Sequence, residues 1–105
     1  MPAHPYNPGG DTTFVLTQAA ITAGNVVVRS AQNRLVTVLN GGVVTAGAAL
    51  TIFDNASTAS GTVIGVIPIG TAAGAILTFN MPAALGITVG VQAAFTGGPL
   101  TIATY

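Results

Sequence analysis

No apolar run in this chain lasts beyond roughly four to eight residues before glycine, proline, asparagine or threonine cuts it. A membrane-spanning helix needs about 20 consecutive, mostly apolar residues. An amphipathic helix needs a 3.6-residue period held over about ten or more. The sequence offers neither. It offers short β-branched and aromatic runs, with turn signals at roughly 8–12-residue spacing. The expected fold is therefore all-β: a single-domain antiparallel β-sandwich or barrel of about eight short strands. A lipid-facing barrel would need longer strands and aromatic girdles, so no membrane partner is expected.

The rest of the chain is organised around residues 51–68, TIFDNASTASGTVIGVIP. Leu50, Thr51, Ile52 and Phe53 form one strand. Residues 55–60 are built of Asn, Ala, Ser and Thr, and Gly61 closes this polar, charge-free loop. Residues 63–67 form a second strand. Pro68 ends it, because proline has no N–H to give a ladder.

Other strands are expected at residues 13–20, 26–30, 35–39, 75–80, 85–92 and 100–104, with a short return strand at 43–45. Residues 26–30 and 35–39 are expected to pair as a hairpin across Ala31, Gln32 and Asn33, with Arg29 and Arg34 near its end. Asn40-Gly41 suits a tight turn. Asn80-Met81-Pro82 is expected to turn the chain, because the residue before proline is held extended. No sustained helix is expected, at most one turn at residues 83–85.

Residues 1–12 are expected to be an extended arm and residues 13–105 the β-domain. Three prolines and two glycines lie in the first ten residues, a composition that resists packing into a core. The N-terminus lacks the charged and apolar regions of a signal peptide.

Of the 105 residues, 50% are hydrophobic and 4% charged, against about 25% charged in an ordinary globular chain. The charges are Asp11, Arg29, Arg34 and Asp54, and none follows Asn55. This balance is opposite to that of a disordered chain. Surfaces of near-zero charge self-associate. Exposed sheet edges are usually guarded by charge, which this chain lacks. Several strands are apolar on both faces, whereas an antiparallel sheet commonly shows water one polar face. Together these features point to a surface covered by copies of the chain or by a larger assembly.

Little chemistry is on offer. General acid–base work needs paired carboxylates or a tuned histidine. Here there are two aspartates and one histidine, His4, which lies in the arm. With no cysteine there is neither a disulfide framework nor a thiolate metal site. His4, Asp11 and Asp54 are too few for a metal cluster. Gly41-Gly42 and Gly97-Gly98 lack the lysine and the helix of a phosphate cradle. Two arginines do not neutralise a nucleic-acid backbone. The expectation is a protein that is not an enzyme, with no cofactor and no nucleic-acid partner. Arg29 and Arg34 are expected either to form local ion pairs, with Asp54 as the acid, or to contact a partner. Asn55-Ala56-Ser57 matches a glycosylation acceptor, which matters only in a secreted eukaryotic protein.

Residues 25–30 (NVVVRS), 33–38 (NRLVTV), 50–57 (LTIFDNAS) and 60–68 (SGTVIGVIP) together resemble small tailed-phage virion surface proteins, among them capsid decoration (cement) proteins. Residues 79–82 (FNMP) and 85–89 (LGITV) extend the likeness. Its specific part is I-F-D-N-A-S…S-G-T-V-I-G. The resemblance implies a non-enzymatic structural protein on the outer surface of a virion capsid. It would be jelly-roll-like, associated with itself as a homotrimer and with the major capsid protein. His4, Tyr6, Arg29, Arg34 and Asp54 are the candidate interface residues. The alternative is a receptor- or glycan-binding module of a head or tail fibre, or a minor tail or baseplate component.

Overall fold

The path of the chain is that of one long antiparallel ribbon, folded at its middle and rolled into two sheets. A computed structural model describes residues 12–45 and 48–105. Residues 1–11 of the expected arm, with His4, Tyr6 and Asp11, lie outside the described residues, as does Gly47 on the approach to the central hairpin.

The strands are β1 (Thr12–Leu16), β2 (Val26–Arg29), β3 (Asn33–Asn40), β4 (Leu50–Asp54), β5 (Thr62–Ile67), β6 (Ile76–Ala83), β7 (Ile87–Val89) and β8 (Leu100–Thr104); one helix, α1 (Gln18–Ala23), follows β1. Along the ribbon β4 pairs with β5, β3 with β6, β2 with β7 and β1 with β8, all antiparallel. Rolling adds β3 to β8 and β4 to β7. The two sheets have orders β1-β8-β3-β6 and β2-β7-β4-β5. Every connection crosses between sheets except β4–β5. This is the eight-stranded jelly roll, a double-sheet architecture, and the all-β antiparallel expectation holds. The stretch at residues 51–68 is the tip of the ribbon.

The core lies between the sheets. Leu16, Leu35, Val38, Leu50, Ile52, Ile67, Ile87, Leu100 and Ile102 are each at most 2% exposed. The end holding the β1–β2 and β7–β8 connections is plugged by Ile21 and Phe95, at 0% and 1% exposed. Gln18 fastens that plug: its amide nitrogen donates to the Phe95 carbonyl, and its Oε1 accepts from the Gly98 amide at 2.8 Å. At the same end Asn40 is fully buried. Its Nδ2 donates to the carbonyls of Gly42 and Ala72, tying the β3–β4 connection to the β5–β6 connection.

Several local expectations fail for identifiable reasons. The strand expected at residues 13–20 stops at Leu16, because Thr17 caps α1 by accepting the Ala20 amide at 3.2 Å. Thr at an N-cap before Gln-Ala-Ala is a helix-start signal, but six residues are too few to show a period. No hairpin joins β2 to β3, since they lie in opposite sheets. Residues 30–32 cross the sandwich instead of turning within a sheet. Residues 43–45 are not a strand; Val44 exchanges backbone hydrogen bonds with Gly70 and Thr71. β6 does not stop at Asn80. It runs on to Ala83 with Asn80 at φ 51°, a left-handed conformation that asparagine tolerates. Pro82 is accepted because β6 is an edge strand. Residues 83–85 form no helical turn: Ala83 closes β6 and the next two lie in the bend before β7. β7 is narrower than residues 85–92, and β1 begins at Thr12, inside the span given to the arm.

Candidate functional site

The topology gathers the described charges at one end of the sandwich. Arg29 closes β2, Arg34 opens β3 and Asp54 closes β4, so all three sit where the β2–β3, β4–β5 and β6–β7 connections meet. The ion pair expected between Asp54 and an arginine is not formed. Arg29 Nε donates to Thr104 Oγ1 at 3.1 Å, bridging the two sheets. Arg34 Nη1 donates to the Asn80 carbonyl at 2.9 Å. The Asp54 carboxylate accepts from the amides of Leu85 at 2.8 Å and Ala84 at 3.1 Å, with Gly86 at 3.4 Å. The Leu85 amide bond is the main cause that holds its pKa below the ordinary 3.8. A carboxylate is better suited than an arginine to a turn of outward-pointing N–H groups.

Asn55, next in sequence, shapes the β4–β5 loop. Its Oδ1 accepts from the amides of Ser57 and Thr58, each at 2.9 Å, and its Nδ2 donates to the Ser60 carbonyl at 3.1 Å. The loop folds back over the outer face of the β2-β7-β4-β5 sheet. Thr88, the outward residue of β7, donates its hydroxyl to the Asn55 carbonyl at 2.8 Å and is completely buried. Two glycines permit this approach. A Cβ on Gly86 would stand 2.4 Å from the Arg29 carbonyl and 3.0 Å from Ala56 Cα. A Cβ on Gly90 would stand 3.2 Å from the Phe53 ring and 3.5 Å from Ala59 Cβ.

Beside the loop the same face holds a groove of about 240 Å³. Thr51 and Gly90 are among its lining, with Phe53 and Ala59 from the loop side and Asn25 and Gln92 from the other strand ends. Asn25 Oδ1 accepts the Val91 amide at 2.8 Å, which fixes that side chain at the rim.

Among the described residues, by contrast, no loop covers the outer face of the β1-β8-β3-β6 sheet. Val15, Thr101, Leu39 and Ile76 form one cross-strand row over all four strands, and Thr13, Ala103, Thr37 and Thr78 form the next. Val15 is 64% exposed, Leu39 40% and Ile76 66%. No charged residue stands in either row. Nothing in the sequence by itself marks these eight residues as a set. The alternation was readable, but the alignment of four separate strands into rows depends on register.

Arg29, Arg34 and Asp54 therefore share one end of the sandwich with their polar groups turned onto the chain itself. His4 and Tyr6 lie outside the described residues. Among the described residues no group of three His, Cys, Asp or Glu stands together to hold a metal, and no helix is long and apolar enough to cross a membrane. What the arrangement offers is surface: one bare uncharged face, one roofed face with a groove. Comparison with known protein families, with curated protein sequences and with solved structures finds no match to this chain.

Proposed function

We propose that the chain is a non-enzymatic structural protein of a phage particle, which decorates and stabilises the outer surface of the capsid as an oligomer. The observation that carries this reading is the uncharged outer face, on which Val15, Leu39 and Ile76 align in one row. Apolar residues scattered singly over a surface need no explanation, but a contiguous patch marks an interaction site. A second copy is the suitable occupant, because two charge-free faces meet without like-charge repulsion. Capsid and lectin domains are among the proteins built on jelly rolls, and fold alone decides between no two functions.

The magnitudes favour assembly on a scaffold over a free oligomer. Burying the three side chains, each already part covered, contributes on the order of 1 kcal/mol apiece. Association costs about 4 kcal/mol or more in lost freedom. The row suffices when the partner is already held nearby, as on a shell where a second contact becomes intramolecular.

The deciding experiment is the copy number of this chain in purified particles, by quantitative mass spectrometry, together with an image of the head with the chain present and absent. Copy number in fixed proportion to the major capsid protein, with added density on the head, is expected. A few copies confined to the tail would overturn the capsid reading. Ile76→Lys is expected to lower head occupancy while leaving the fold intact.

A further inference from the structure

Asp54 and Asn55 of the central hairpin act together with Thr88 of β7. Asp54 holds the turn at residues 84–86, Asn55 shapes the loop and Thr88 fastens it to the sheet. Their effect is to stand Ala59 and the Phe53 ring as a wall beside Gly90. Gly90 follows β7 directly, its amide bonded to the Thr51 carbonyl at 2.9 Å, and any side chain there would project toward Phe53 and Ala59. The groove is thus open because position 90 is glycine and steady because the loop is tied down.

We propose that this groove is a binding subsite for one neutral sugar ring. Drug-sized ligands occupy pockets of about 300–1,000 Å³, and this one is smaller, at about 240 Å³, the scale of a single ring. Among the described residues no charged side chain lines it, so phosphate, carboxylate and ammonium groups find no counter-charge there. A pure hydrocarbon would bury polar groups without partners, which is costly. The Thr51 hydroxyl and the Asn25 Nδ2 make no hydrogen bond to the described residues, and the Gln92 amide makes only long contacts of 3.4 Å to Ala49 and Ala94. Phe53 and Ala59 offer apolar contact on the loop side. A pyranose matches this division, with C–H groups for the ring and hydroxyls for the amides. A proline-rich peptide would need a groove lined by several aromatics, and among the described residues Phe53 alone supplies one.

The subsite does not depend on the chain being part of a particle. The test is a titration of the full, isotope-labelled chain with methyl glycosides of glucose, galactose, mannose and N-acetylglucosamine, followed by amide resonances. Saturable shifts at Gly90 and Val91 and at the side-chain amides of Asn25 and Gln92 are expected with at least one of them. Methyl glucuronoside is expected to bind more weakly. Gly90→Val, which fills the groove, is expected to weaken binding by roughly tenfold or more. If Gly90→Val does not fold, Thr51→Val carries the same test by removing the hydroxyl. Absence of saturable shifts with the whole panel would overturn the proposal. So would binding unchanged by both variants, or a proline-rich peptide occupying the groove where no sugar does.

Discussion

The two outer faces of the sandwich are made from the same kinds of residue and differ at their centres, where Thr88 is fully buried and Leu39 is 40% exposed. On the β2-β7-β4-β5 sheet, Thr88 sits in an outward row with Val27, Phe53 and Val63. The chain spends a loop on this row, and Thr88 becomes as buried as any core residue. On the opposite sheet the row of Val15, Thr101, Leu39 and Ile76 receives no such cover, and its two edge residues are about two-thirds exposed. Strand composition therefore does not decide which face is finished within the chain. The turn chemistry beyond the strands decides it. Asp54-Asn55 supplies acceptors that both shape a loop and hold it down, and among the described residues no connection at the other face has an equivalent.

Four measurements would break or sharpen this contrast. The largest effect is expected from Gly86→Ala. Its Cβ would collide with backbone of β2 and of the loop, and backbone gives way only by moving the roof; a loss of about 3 kcal/mol or more is expected in denaturant unfolding. Thr88→Val keeps the shape and removes the hydroxyl that reaches the Asn55 carbonyl. Leaving that acceptor without its partner is expected to cost about 1–3 kcal/mol, and an unchanged midpoint would mean the roof is held by packing alone.

A smaller, pH-dependent effect is expected from Asp54. Its carboxyl has a pKa below the ordinary 3.8, chiefly through the Leu85 amide. The ionised form thus binds the folded state better than the unfolded one. Its contribution is fully present above about pH 4 and is lost as pH falls through the depressed folded value. Thermal melts of the native chain and Asp54→Asn should converge in acid and separate above that range; parallel curves would show that the carboxylate holds nothing. Least of all should change on the bare face. Val15→Thr and Ile76→Thr are each expected to shift the stability of the isolated chain by no more than about 0.5 kcal/mol. A larger loss would mean that this face is already packed against something within the chain.

Much of the fold was legible in the sequence, and the failures share a cause. The short runs bounded by glycine and proline gave the strand class, and the hairpin at residues 51–68 was read with its loop and its stop at Pro68. Local signals work where the partner strand is next in sequence. That holds once here, for β4 and β5. It misleads at residues 26–39, where strong strands and a three-residue link suggest a hairpin and the chain changes sheets. β7 shows the same limit from another side: three residues that look like a fragment of a longer strand are a central member of their sheet, buried throughout. The site was less legible still. In the sequence Asp54 shows only as a charge, but its task is to bind the amides of residues 84–86, thirty positions away. Gly90 carried no local sign of being the floor of a groove, because the atoms that it makes room for come from β4 and the loop after it.

The ribbon pairing sets Thr12 directly across a ladder from Thr104. With residues 1–11 removed, a short linker from Tyr105 to Thr12 would close the backbone into a ring and keep the backbone pair of Tyr105 with Arg34. The ring could then be reopened in the exposed connection at residues 72–74, giving a circular permutant with every strand pair retained. Such a molecule would carry its new ends at the opposite pole from Arg29 and Asp54, and a cargo peptide grafted there would point away from them.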